Sequence, residues 1–223
     1  VSRVIVLRPE PAASRTADGA RAMGLDVAVH PLFAPQAVAW TPPPPEHFDA
    51  LLLTSANGVR LAGAGLDHYR ALPAYAVGEA TAQAMKEAGF AAVTSGSEDG
   101  SAIARRIADE RRSRVLHLSG TTVAAMETGP LHVTRVAVYS MIALPPAPAL
   151  KADAVPGSVL LVHSPRAGER VAEQFPEETR AGLHIVAIGA AAARVCGDGW
   201  ASVTHPARPR DDEMLALARR LCE

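Results

Sequence analysis

The stretch LLLTSANGVR at residues 51–60 returns as LLVHSPRAGER at 160–170. Two further pairs follow in the same order: AVGEATAQAMKEAGF (76–90) with AIGAAAARVCGDGW (187–200), and SAIARRI (101–107) with LALARRL (215–221). Ser55 and Ser164 stand 109 positions apart, Gly78 and Gly189 stand 111, and Ile107 and Leu221 stand 114. A period this long exceeds any solenoid repeat and matches the size of a small domain. The chain is therefore expected to build one layout twice, by duplication of a half-chain unit or by convergence.

Each copy alternates short β-rich runs with Ala-rich helical windows, the pattern of α/β layering around a parallel sheet. Strands are expected at 3–8, 26–30, 50–54, 74–78, 114–119, 133–140, 158–163 and 184–189. Most are continuous apolar runs, as in strands covered on both faces. Helices are expected at 12–24, 56–65, 79–89, 98–111, 165–175, 190–197 and 211–222. Within 79–89, Ala80, Ala84 and Ala88 share a face and Gly89 supplies a C-terminal stop. Two Pro-rich segments, 31–47 and 143–157, break the rhythm and read as crossings between domains. The predicted organisation is a discontinuous α/β domain from 1–35 plus 145–223, with 36–144 inserted as a second α/β domain that carries two linker strands.

Composition closes several functional classes. Hydrophobic residues are 48% and charged residues 20%, enough apolar material for folded cores. A net charge of −1, with no basic stripe interleaved with aromatics, argues against nucleic acid as a partner. No apolar run approaches a membrane span, and VIVLRPEP reads as strand and turn rather than an export signal, so a cytoplasmic address is expected. Cys196 and Cys222 have no metal spacing and are expected to be reduced.

Ligands of open parallel sheets bind outside the carboxyl ends of the strands, where helix N-termini point. Arg8, Thr54, Ser55, Gly78, Ser119, Gly120, Ser164 and Gly189 stand at those ends. Short βα loops need Ser, Thr and Gly as caps and turns whatever their function. Several such junctions facing one cleft would instead suit a small polyanion. Sharper motifs are missing. Gly63 and Gly65 follow a helix rather than a strand, so the dinucleotide fingerprint is absent, as are a P-loop, an HExxH zinc motif and a GxSxG elbow. Six histidines (30, 117, 132, 163, 184 and 205) are scattered, most of them in or beside strands, and read as structural. The acidic pairs Glu98-Asp99 and Asp211-Asp212 read as first-turn helix residues. Tyr139 ends VTRVAVYS just before the second Pro-rich segment, either as a strand-end aromatic or as a residue of the cleft.

Taken together, VIVLRPEP, LLLTSANGV, YAVGEATAQAMKEAGF, VAVYS, VLLVHSPRA, IVAIGAAAA and HPARPRDDEMLALARRL resemble the uroporphyrinogen-III synthase family. The resemblance implies a bilobed protein of two similar α/β domains joined by a pair of strands. It implies a cofactor-independent and metal-free enzyme of tetrapyrrole and heme biosynthesis, a lyase that closes hydroxymethylbilane, with its eight carboxylates, to uroporphyrinogen III. Water is lost and ring D is inverted through a spirocyclic intermediate. It also implies a monomer and leaves room for transient contact with the preceding pathway enzyme. Tyr139 matches the family tyrosine proposed to assist departure of the substrate hydroxyl. Ser55, Asn57, Gly78, Thr81, Ser164 and Gly189 match positions that contact the acid arms, with Thr54, Ser119 and Gly120 beside them and Arg8 at the first strand end. Ala190, Ala191 and Ala192 replace hydroxyl-bearing residues, leaving the Ala190 backbone N–H as the expected contact. TTVAAMETG after Gly120 lacks a basic residue. A non-catalytic two-lobed module that binds or senses a polyanionic small molecule is the competing reading.

Overall fold

The computed structural model describes residues 2–96 and 99–223. The chain divides into two compact units: residues up to Ala34 together with Ala143–Glu223, and Pro35–Ile142. It opens in the first unit with β1 (Val4–Val6), α1 (Ala12–Ala22) and β2 (Val27–Val29), and passes into the second within β3 (Phe33–Ala37). There follow β4 (Ala50–Leu53), α2 (Ala56–Leu61), β5 (Ala74–Val77), α3 (Glu79–Glu87), β6 (Val93–Gly96), α4 (Gly100–Asp109), β7 (Arg114–Gly120) and the long β8 (His132–Ala143). The first unit is completed by α5 (Pro148–Asp153), β9 (Val159–Val162), α6 (Pro165–Gln174), α7 (Glu177–Arg180), β10 (His184–Ala187), α8 (Ala190–Arg194), β11 (Ser202–Thr204) and α9 (Asp211–Cys222).

In the first unit the sheet order is β11-β10-β9-β1-β2, with every pair parallel. Val4 stands opposite both Val27 and Val159, so the first strand of the chain is zipped between its own neighbour and a strand from the C-terminal part. All of β1 and β9 is buried, which is why both are uninterrupted Val, Ile and Leu. Ala13, Ala17 and Ala20 of α1 pack with Met214, Leu215 and Ala218 of α9 onto Val4, Val6, Val159 and Leu161. The small alanines let the helix lie close to the sheet.

The second unit has the order β3-β8-β7-β4-β5-β6, with β4, β5, β6, β7 and β8 mutually parallel where they pair. One face carries Leu51, Leu53, Leu116, Leu118 and Val138 beneath α2 and α3, and the other carries Leu52, Tyr75 and Val115 beneath Ile103 and Ile107 of α4. Mapping the sequence repeat onto the sheets pairs β4 with β9, α2 with α6, β5 with β10, α3 with α8 and α4 with α9. The orders β8-β7-β4-β5-β6 and β2-β1-β9-β10-β11 are then the same.

Some details depart from the sequence reading. The edge strands β6 (VTSG) and β11 (SVT) had no apolar signal, because an edge strand is only partly covered. The buried face of α3 is Thr81, Ala82, Ala84 and Met85 rather than the Ala80, Ala84, Ala88 stripe, since Met85 supplies far more apolar surface than an exposed Ala80. The Pro-rich stretches hold structure as well. Pro35 sits in β3 at the edge of its sheet, and Pro148 opens α5, two places where a missing N–H is tolerated. Trp40 donates from Nε1 to Ala62 O at 2.9 Å, and the Tyr69 hydroxyl donates to Pro43 O at 2.7 Å. A Cβ on Gly65 would lie 2.6 Å from the Trp40 ring, so this G-x-G serves packing. Glu98 lies outside the described residues. Among them, no helix is long and apolar enough to cross a membrane.

Candidate active site

In the second unit, buried β4 ends at Leu53 and the chain turns outward through Thr54 into the N-terminus of α2. Ser55 caps that helix, its hydroxyl accepting from Asn57 N at 3.2 Å. Thr54 and Ser55 line a cleft of about 350 Å³ with Val77, Asp99, Gly100, His117, Thr122, Val123, Ala124, Met126 and Tyr139. Asp99 caps α4, accepting from Ala102 N at 2.9 Å, as its first-turn position suggested. Gly78, next to Val77, has φ 79°, a left-handed conformation that favours glycine, and opens α3.

Tyr139 differs from the other two tyrosines. Tyr69 and Tyr75 are 0% and 1% exposed, their hydroxyls donate to Pro43 O and to Glu110 Oε2, and burial pushes each pKa up to about 12. Tyr139 is half-buried on the cleft, and among the described residues its hydroxyl has no hydrogen-bond partner.

His117, read from sequence as structural, is 3% exposed and lines the same cleft. Its Nε2 stands 3.2 Å from Thr54 Oγ1. Burial, and secondarily the charge of Arg135, lower its pKa to about 4, so the imidazole is neutral at physiological pH. Arg135 is opposite His117 in the β7–β8 ladder and lines an adjoining cleft of about 490 Å³ beneath Val123–Met126. Exposed, and without an ion-pair partner among the described residues, it puts positive charge near a segment whose own sequence has none. The signal for His117 is a polar residue inside the apolar run RVLHLS. Arg135 lies on the next strand, and only the register joins it to His117.

Other expected site residues of this unit are set back from the cleft. Ser119 is 2% exposed and donates from Oγ to Gly120 O at 3.1 Å. Gly120 is buried against the Tyr139 ring. Thr81 is 4% exposed on the core face of α3, with its N–H bonded to Gly78 O. Asn57 is half-buried in the first turn of α2.

The first unit holds the remaining candidates. Arg8, past the end of β1, contacts Asp211 Oδ1 and Thr16 Oγ1, both at 3.3 Å, and burial is the main influence lowering its pKa. Asp211 also accepts from Thr16 Oγ1 at 2.8 Å and pairs with His163 Nε2 at 2.7 Å. Burial alone would raise the Asp211 pKa, but these hydrogen bonds and the neighbouring positive charge hold it below the usual carboxylate range. Asp211 thus does more than open α9: it ties the ends of β1 and β9 to α1 and occupies one edge of the Arg8 guanidinium. Ser164 caps α6, accepting from Ala167 N at 3.2 Å, the counterpart of Ser55. Gly189 is extended, at φ −178°, with open space where a Cβ would be, and Ala190 and Ala191 are exposed at the start of α8. The first N–H groups of a helix have no intrahelical acceptor and remain free for an anion. Ala192 is 1% exposed, so a hydroxyl at that position would face the core.

Residues 14–216 match the family model of Uroporphyrinogen-III synthase HemD (HEM4). The chain belongs to the uroporphyrinogen-III synthase family. Its fold is similar to that of uroporphyrinogen-III synthetase from Helicobacter pylori, with a TM-score of 0.67 and 17% identity over 99% of this chain and 100% of that one. Uroporphyrinogen III synthase from Thermus thermophilus matches at a TM-score of 0.42 and 17% identity over the whole of both chains. No curated protein sequence matches. Two mostly parallel sheets flanked by helices, one interrupted by the other in sequence, are the synthase fold as this chain builds it.

Proposed function

We propose that this synthase-family chain closes hydroxymethylbilane to uroporphyrinogen III with Tyr139 as the proton donor. The carrying observation is the Tyr139 hydroxyl, half-buried on a cleft with Thr54 and Ser55 and without a hydrogen-bond partner among the described residues, where Tyr69 and Tyr75 are both bonded inward. A tyrosine hydroxyl placed against a leaving group can act as a general acid. Its proton passes to the terminal hydroxyl of the bilane as the carbon–oxygen bond breaks, giving water and a phenolate. The resulting cation is attacked by ring D at its substituted carbon, forming the spirocyclic intermediate. That intermediate reopens, recloses in the inverted sense, and loses a proton to the phenolate. The reaction is that of a cyclizing lyase and uses no cofactor.

Acid catalysis supplies about 10²- to 10⁴-fold, whereas holding reactants in register supplies up to roughly 7–11 kcal/mol. The bilane closes unaided to the uninverted isomer, so orienting ring D is the larger task. The groups proposed to hold the carboxylates are Thr54, Ser55, Asn57 and the helix start after Gly78 in one unit, and Arg8, Ser164, Gly189 and the Ala190 N–H in the other. Thr81, Ser119 and Gly120 support these junctions from below. Arg135 joins them as the exposed cation beside His117. A monomer in the cytoplasm, receiving substrate by transient contact with the enzyme that makes it, completes the reading.

Freshly made hydroxymethylbilane, with type I and type III porphyrins resolved after oxidation, tests the activity; type I product alone in excess enzyme defeats it. Tyr139→Phe is expected to lose about 10²-fold or more in rate while still making type III. A wild-type rate removes the acid role, and a switch to type I removes the division of labour.

A further inference from the structure

The register of the β7–β8 ladder slips where Tyr139 begins. Leu118 pairs with Val136 and Ser119 with Ala137, but Gly120 pairs with Tyr139, leaving Val138 as an extra residue in β8. Strict alternation would send Val138 and Tyr139 to opposite faces of the sheet. Here both pack against the same apolar cluster as Leu53 and Leu118. Bulges of this kind re-aim a side chain. Three hydrogen bonds hold it: Thr121 N to Tyr139 O at 2.9 Å, Val38 N to Val138 O at 3.0 Å, and Ser119 Oγ to Gly120 O at 3.1 Å.

The redirected ring lies across Gly120. A Cβ there would stand 2.9 Å from Tyr139 Cζ, 3.1 Å from Cε2 and 3.1 Å from the hydroxyl oxygen, inside van der Waals contact with the hydroxyl-bearing end of the ring. Gly120 is in a strand and is not among the positive-φ glycines, so its backbone would accept alanine. What it cannot accept is the loss of space.

We propose that Gly120, with the bulge opposite it, is a positioning residue that sets the Tyr139 hydroxyl in the cleft. The proposal rests on the reading of Tyr139 as proton donor. It assigns Gly120 to the placement of the acid rather than to contact with a carboxylate.

The experiment compares wild type, Gly120→Ala, Tyr139→Phe and the double variant, with hydroxymethylbilane as substrate and 3-fluorotyrosine incorporated for ¹⁹F NMR. Gly120→Ala is expected to lower kcat about 10- to 100-fold, the cost of misplacing a reacting group by a fraction of an ångström to an ångström. KM should stay within about 2-fold, since uniform binding is untouched. The Tyr139 ¹⁹F resonance, assigned by its loss in Tyr139→Phe, should shift while those of Tyr69 and Tyr75 stay. In the Tyr139→Phe background, Gly120→Ala should cost almost nothing more, because the group it displaces is gone. An unchanged kcat, a loss that adds in full to that of Tyr139→Phe, or an unmoved resonance overturns the positioning role. A Tyr139→Phe enzyme at wild-type rate is a different result, which removes the proton-donor reading itself. If Gly120→Ala does not fold, Gly120→Ala/Tyr139→Ala should restore folding, and failure to do so overturns the proposal.

Discussion

His117 shows what one buried titratable side chain does to the molecule. Its pKa falls from the ordinary 6.5 to about 4, by burial first and the charge of Arg135 second. Between those values the unfolded chain binds a proton that the folded one refuses, so stability is complete above pH 6.5 and drains away as pH falls toward 4. From pH 7 to pH 5 the loss from this group is about 2 kcal/mol. The lowered carboxylates Asp153, Asp211 and Glu110 lose their contributions only at lower pH, below the ordinary carboxylate pKa. Urea unfolding at pH 5 and pH 7 should therefore show a drop in wild type that His117→Gln, with no titrating ring, largely abolishes. An undiminished drop in the variant would assign the effect elsewhere. At this scale the sequence reading was uneven. Tyr139 was legible because tyrosines are few and this one ends a strand, and Ser55 and Ser164 because their hydroxyls precede helices, where they cap. His117 and Arg135 were not, since their neighbours come from separate strands.

Gly78 and Gly189 occupy matching junctions, each between a buried strand and a helix, yet they are held for different reasons. Gly78 has φ 79° with open space around its missing Cβ, whereas Gly189 is extended at φ −178°, also with open space. Gly78→Ala should then cost about 1–3 kcal/mol through backbone strain alone. Gly189→Ala, with neither strain nor clash, should stay within about 0.5 kcal/mol. Chemical denaturation of the two variants checks the contrast, and equal costs would show that the repeat preserves conformation as well as position. The elements themselves were legible where a strand is covered on both faces, as in VIV, ALLL and VLLV. Among the edge strands, VAV was legible, whereas VTSG and SVT, each with a single valine, were not. The side chains on α3 were misjudged because three alanines make a regular stripe, while the bulk that fills the core belongs to Met85.

For the whole molecule, continuity of chain matters more than similarity of fold. The unit Pro35–Ile142 is one uninterrupted segment with apolar cores on both faces of its sheet. The other unit needs β1 inserted between β9 and β2, so its sheet draws on both chain ends. A fragment of residues 35–142 is therefore expected to fold alone, with cooperative urea unfolding and native-like far-UV circular dichroism. A fragment of residues 143–223 should not, because β9 would expose the edge that β1 covers. A cooperative transition in the second fragment would contradict this. By itself the sequence determined the α/β class, the two related units and the family, because these rest on local apolar runs and on motifs whose order survives along the chain. Tertiary structure alone decided how the candidate residues within each unit are assembled. Arg135 beside His117, Asp211 on Arg8, and the bulge that turns Tyr139 over Gly120 all depend on which strands become neighbours and in what register. A side chain's partners across a sheet are set by non-local pairing, and a one-residue slip in that pairing changes the face on which it acts.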